Sequence, residues 1–113
     1  MTEEEWLDGL RHLSPDMILK THFSLQEQIK KHYKLRADPK HLKTAISLCE
    51  QQIALSPLAI DALKQNPQMY SKGEFFAPSH HGYRQYAVIL RRQKEFDKLD
   101  TIERKMKSEG WAA

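Results

Sequence analysis

Six histidines, one cysteine and two groups of basic residues carry most of the reactive or ligand-binding chemistry in this 113-residue chain. The histidines are His12, His22, His32, His41, His80 and His81. Two histidines that share a metal ion on one helix need a spacing of three or four, because only then do their rings lie over adjacent turns. No pair here has that spacing. His80 and His81 are neighbours and would point to different faces of a helix. His81, beside Gly82 at the start of a helical pattern, is placed to line a pocket. Cys49 falls among apolar residues in mid-helix and reads as a buried, inert thiol. A single cysteine forms no intrachain disulfide and no cysteine-rich zinc site within one chain. The chain lacks a Gly-rich phosphate loop, HExxH, GxSxG and CxxC. These residues point away from an enzyme and toward neither a metal nor a cofactor.

The basic residues are more informative. Lys30, Lys31, Lys34 and Arg36 form one group, and Arg84, Arg91, Arg92 and Lys94 the other. The spacing of Lys30 to Lys34, and of Arg84 to Arg91, keeps each pair on one helix face. The net charge is only +3, which on its own argues weakly for nucleic acid. Residues 81–107 hold eight Lys/Arg against four Asp/Glu. Nucleic-acid binding through these helices is therefore the alternative to a protein or peptide partner, but no recognition motif or aromatic platform accompanies the charge. The N-terminal MTEEEW is acidic, whereas a signal peptide needs a positive start and an apolar run. No stretch approaches the about 18 apolar residues of a membrane span. The cytoplasm is the expected compartment, with no membrane partner.

The elements that must position these residues are helical throughout. Thr2 caps a first helix with Glu3, Glu4 and Glu5 in its first turn, where acid suits the helix dipole. Ser14-Pro15-Asp16 and Asp38-Pro39 are cap-plus-proline starts. Ser24 followed by Glu27 is a capping-box pattern that either restarts a helix or sits inside a longer one. Leu25, Ile29 and Tyr33 then share one face. The helix after Pro39 is expected to run to about Leu55, and Ser56-Pro57 to start another that ends near Asn66. Residues 67–79 are the one long non-helical stretch, with Phe75 and Phe76 expected to pack against the core edge. Ser79 is the expected cap of a helix to about Lys94, striped by Tyr83, Tyr86, Ala87 and Leu90. A break near Glu95 leads into a last helix that stops at Gly110. No strand is expected.

Two segments can be superposed: 24–57 (SLQEQIKKHYKLRADPKHLKTAISLCEQQIALSP) and 81–111 (HGYRQYAVILRRQKEFDKLDTIERKMKSEGW). Both read as helix, turn, helix, near the about 34 residues of a tetratricopeptide unit. Here the sequence resembles the tetratricopeptide repeat family. The family's patterned positions fall in the first segment on Ile29, His32, Tyr33 and Arg36, then Ala45, Cys49, Gln52 and Pro57. In the second they fall on Tyr83, Tyr86, Ala87 and Leu90, then Leu99, Glu103 and Met106. His32, Arg36 and Glu103 depart from the pattern, and Trp111 stands where proline is usual. The resemblance implies an all-α superhelix of about five to six helices in antiparallel hairpins, as one helical domain over 1–113. The hairpins would be 24–57 and 80–111, with 1–23 as N-terminal capping helices and 58–79 as an inserted helix and loop. About three such units are usually needed to bury a continuous core, so a homodimer is another way to cover the exposed faces. The resemblance also implies that Glu27, Lys30, Lys34 and Ala37, with His81, Arg84, Val88 and Arg91, line the concave face. Lys30, Lys34, His81, Arg84 and Arg91 would then make a cationic groove for an acidic peptide or carboxylate. The expected role is a non-catalytic protein- or peptide-binding module.

Overall fold

The computed structural model describes residues 2–112. It contains five α-helices: α1 (Glu3–Leu10), α2 (Pro15–Lys34), α3 (Pro39–Lys64), α4 (His81–Arg92) and α5 (Phe96–Glu109). Each of the first three starts on the expected cap. Thr2 Oγ1 accepts from Glu5 N at 3.2 Å, Ser14 Oγ from Met17 N at 3.3 Å and Asp38 Oδ1 from Lys40 N at 2.9 Å. These bonds satisfy amides that no earlier turn can serve. Ser24 lies inside α2, so residues 15–23 are the first turns of α2 and not a separate capping helix.

The fourth start differs from expectation. The cap of α4 is His80, whose ring Nδ1 accepts from Tyr83 N at 3.0 Å, and not Ser79. The α4–α5 break is a tight reversal with Lys94 in the left-handed region, at φ 60°. Glu95 N donates back to Leu90 O and Lys94 N to Arg91 O, satisfying carbonyls that the ended helix orphans. Gly110, at φ 93°, closes α5.

α2 and α3 form an antiparallel hairpin. His32 meets His41 near the turn, and His22 meets Gln52 further down, so the register advances in opposite senses. α4 and α5 form a second one, with Arg91 opposite Glu103 and Tyr83 opposite Glu109. α3 packs against α2 and α4, and α1 lies against α3. At 26 residues, α3 is about 39 Å long, which accounts for most of the 43 Å long axis.

α3 does not stop at Leu55. It continues through Pro57 to Lys64, so 58–66 is the end of α3 and not an inserted helix. Proline lacks the amide that would bond the carbonyl four residues earlier, here that of Ile53. That carbonyl finds other donors. Ser56 Oγ lies 2.5 Å from it and Lys105 Nζ, from α5, 3.2 Å from it. A tertiary contact thus replaces the helical bond, and the helix survives its proline.

Residues 67–79 are non-helical apart from one 3-10 turn, Pro67–Met69, but they hold a small hairpin that alternation did not signal. Tyr70–Ser71 pairs antiparallel with Glu74–Phe75. Lys72 and Gly73, at φ 52° and 81°, form its two-residue turn, a position that favours left-handed residues. Phe75 packs against the core and Phe76 is 60% exposed, so only one of the two behaves as expected.

The apolar core has two centres. One joins Ile18, Leu25 and Ile29 of α2 to Leu48, Cys49 and Leu55 of α3, with Trp6, Leu7 and Leu10 of α1 against it. The other joins Ile53, Ile60 and Leu63 of α3 to Tyr83 and Trp111.

Candidate functional site

Four polar residues are buried in a seam that runs beside these centres: His22, Gln52, Ser56 and His80. Three of them lie on apolar helix stripes, and His80 is the cap of α4. His22 continues Ile18, Leu25 and Ile29 on α2, whereas Gln52 and Ser56 continue Ala45 and Cys49 on α3. The stripe placed them inside, and the polar residue types then required partners.

The upper half of the seam fixes two neutral histidines. Tyr83 N–H donates to His80 Nδ1, so that nitrogen carries no proton; Nε2–H then donates to Gln52 O at 3.3 Å. Burial, with the nearby His22, pushes the His80 pKa down to about 3. The Gln52 amide donates to His22 O at 3.1 Å and approaches His22 Nδ1 at 3.4 Å. Burial takes the His22 pKa down to about 4. Trp111 covers both rings, stacked on His22 at 5.8 Å and edge-on to His80 at 4.8 Å. Gln52 Oε1 has no partner. It sits 2.5 Å from where a Cβ on Gly82 would stand, so α4 approaches α3 this closely only because residue 82 has no side chain.

The lower half centres on Glu109, only 11% exposed in its side chain. Its Oε1 accepts from Tyr83 OH at 2.7 Å and Trp111 Nε1 at 3.2 Å, and lies 2.6 Å from Ser56 Oγ. Lys105 Nζ donates to its Oε2 at 2.7 Å and to Tyr83 OH at 3.0 Å. Burial raises the Tyr83 pKa, and the Glu109 carboxylate adds to this. This network has no nucleophile with an open approach, so its geometry does the work of a brace. Cys49 is likewise fully buried, and burial pushes its pKa up to about 12, which keeps it a thiol.

The open face lies next to this seam. Phe23 follows buried His22, and His81 follows buried His80. Together with Gln26, Ser79, Arg84, Gln85 and Val88, these two residues line a groove of about 530 Å³ between α2 and α4. Phe23 is 47% exposed there. The His81 pKa is lowered by burial first, then by Lys30 and Arg84, with Glu27 opposing; Lys30 is therefore close enough to be felt in the groove. His81 Nε2 is shielded from solvent and has no partner.

The five expected site residues are not gathered into one trough. His81 and Arg84 share the α2–α4 groove. Lys30 and Lys34 line a shallower hollow on α2 with Glu27, Lys31 and Leu35. Lys30 is 3.5 Å from Glu27, an exposed pair that softens its charge. Arg91 lines the α4–α5 cleft, which Arg84 also borders, and Glu103 lies 3.6 Å from it. Arg84 and Lys34 have no ion-pair partner among the described residues. The residues that the sequence reading missed are Phe23, Gln26 and Gln85. Their helical spacing to His22 and His81 was visible, but nothing local says that α2 and α4 become neighbours.

His32 and His41 meet across the α2–α3 turn with Nδ1 atoms 2.9 Å apart. A ring-centroid separation of 5.2 Å places the two nitrogens in line between the rings, the arrangement of an N–H···N bond and not of a chelate. Among the described residues, no three His, Cys, Asp or Glu side chains converge on a point that would hold a metal ion. No helix among them is long and apolar enough to cross a membrane.

The fold and its surface define a predominantly helical protein: two helical hairpins braced by a buried polar seam, with an open groove beside the seam. No family model, no curated protein and no solved structure matches the chain.

Proposed function

We propose that the chain is a tetratricopeptide-like helical module that captures acidic peptide segments of another protein in the α2–α4 groove, without chemistry of its own. The observation that carries this reading is Arg84. Its guanidinium stands without an ion-pair partner among the described residues, beside exposed Phe23 and half-buried Val88 and His81. Arg binds a carboxylate bidentately, and an adjacent aromatic face adds apolar contact area. Lys30 adds positive potential at the rim. A groove whose walls mix aromatic, aliphatic and amide side chains suits a peptide better than a phosphate backbone, which requires several cations in file.

The test is fluorescence anisotropy with a labelled pool of Asp/Glu-containing nonapeptides and with random single- and double-stranded nucleic acid. The full chain should bind the peptides, and Lys30→Glu with Arg84→Glu should abolish binding while the far-ultraviolet circular dichroism stays unchanged. Undiminished peptide binding by the double variant would refute the groove. Binding of nucleic acid alone would replace this reading with the alternative.

A further inference from the structure

On α4, His81, Arg84, Val88 and Arg91 follow one another at spacings of three and four. They form one stripe about 15 Å long. Depressions flank this stripe on both sides. The α2 side is the polar groove already described, and the α5 side is a cleft of about 380 Å³. Ala87, Val88, Ile102 and Met106 supply the cleft's apolar walls. Arg84 and Val88 border both depressions, so a ligand on Arg84 is within reach of each.

Charge is distributed unevenly across the two. Arg91, at the far end of the cleft, is engaged with Glu103. Glu103 places a negative charge at the cleft rim, which opposes a second carboxylate there. Among the described residues, Arg84 and Lys107 are the cleft's cations without an ion pair, and Arg84 is the one that also borders the groove. Met106 is unbranched and adapts to side chains of different shape.

Building on the groove reading above, we infer that the α4–α5 cleft is the specificity pocket for an aliphatic side chain of the same acidic peptide. The occupant is a segment carrying one Asp or Glu with Leu, Ile or Met within about one helical turn of it. The carboxylate rests on Arg84 and the aliphatic group enters between α4 and α5. A uniformly acidic tract fits poorly, because its next carboxylate meets Glu103. The chain's own acidic segment, Glu3–Glu5, is not the ligand, since Trp6 and Leu7 beside it are packed against the core.

A phage-displayed library of random nonapeptides selected on the immobilised full chain tests this. The enriched peptides should pair an acidic residue with an aliphatic one at constant short spacing. Arg84→Gln should erase the acidic preference, and Ile102→Gln the aliphatic one. Val88→Gln, outside both core centres, should do the same as Ile102→Gln if that variant fails to fold. Replacing the aliphatic residue of an enriched peptide by Ala should weaken binding about tenfold or more. Acidic enrichment without an aliphatic position, or affinity unchanged by Val88→Gln, overturns the pocket and leaves the groove standing. No acidic enrichment at all overturns both. A dimer in sedimentation that Val88→Gln dissociates also overturns the pocket, in favour of a second copy as its occupant.

Discussion

Two neutral histidines sealed beneath Trp111 make stability strongly dependent on pH. An exposed histidine titrates near 6.5 in the unfolded chain, whereas His22 and His80 are held down at about 4 and about 3. Between these values the unfolded state binds protons that the folded state refuses. Stability is therefore complete above pH 6.5 and falls as the pH drops toward 4. At pH 5 each histidine has lost about 2 kcal/mol, and the two together about 4 kcal/mol. That compares with a total of about 5–15 kcal/mol for an ordinary domain. The assay is urea denaturation at half-unit intervals from pH 7.5 to 5.0. Near pH 5.5 the slope of unfolding free energy should reach about 2.4 kcal/mol per pH unit, equivalent to nearly two protons taken up. In parallel, the imidazole proton resonances of His22 and His80 should not shift with pH from 7.5 to 5. A flat stability profile, or two titrations near pH 6.5 in the folded state, would refute the seam as described.

Pro57→Ala should stabilise the chain by about 1–3 kcal/mol, because it restores an amide inside α3 and removes a ring clash; denaturant midpoints decide it. Lys105→Met should cost about 1–3 kcal/mol by removing donors to Ile53 O, Tyr83 and Glu109. Its cost should shrink in the Pro57→Ala background, which a double-mutant cycle measures; strict additivity would show that Lys105 does not serve the Ile53 carbonyl. Gly82→Ala should destabilise by about 2 kcal/mol despite Ala's better helix propensity, since its methyl group would meet Gln52 Oε1; a gain in melting temperature would contradict the close approach. Lys94→Gly should add about 1 kcal/mol by relieving a left-handed lysine at the end of α4, and no change would mean that the reversal costs nothing.

Helix identity was legible in the sequence because it is written locally. Thr2, Ser14 and Asp38 are followed by residues that leave only a helix start as a use for them, and all three cap. Pro57 misled for the opposite reason. A proline after serine reads as a start, but here the freed Ile53 carbonyl is met by Ser56 Oγ itself and by Lys105, 52 residues away, which spacing alone could not announce. His80 was unreadable as a cap because its role depends on Gln52 O holding the ring's other nitrogen. The two-residue strands were too short for alternation to register. The site followed the same division. Spacing placed His81 and Arg84 on one face of α4, and they do share a groove. Spacing carried no information about which helix stands opposite, so Phe23 was missed and Arg91, which shares the α4–α5 cleft with Arg84, was grouped with Lys30, Lys34 and His81, which line other hollows.

The seam and the groove are adjacent along the chain as well as in space, and that ties the groove's shape to folding. His22 is buried and Phe23 is open; His80 is buried and His81 half-open. On a helix, successive side chains diverge by about 100°, so locking His22 fixes where Phe23 points, whereas His80, the extended cap of α4, anchors the first turn that carries His81 through its bond from Tyr83 N. Gln52 reaches both buried residues: its side-chain amide donates to His22 O and approaches the His22 ring, and its backbone carbonyl accepts from the His80 ring. One fully buried residue of α3 thus links the segments that carry Phe23 and His81. A buried amide is a costly way to fill that position, and its side-chain partner explains the cost: an apolar residue would keep the carbonyl that holds His80 but lose the amide that meets His22. Gln52→Leu should accordingly keep the helices, free the His22 ring and, on the proposed peptide-binding reading, widen the range of acidic peptides bound, whereas unchanged selectivity would reduce the seam to packing.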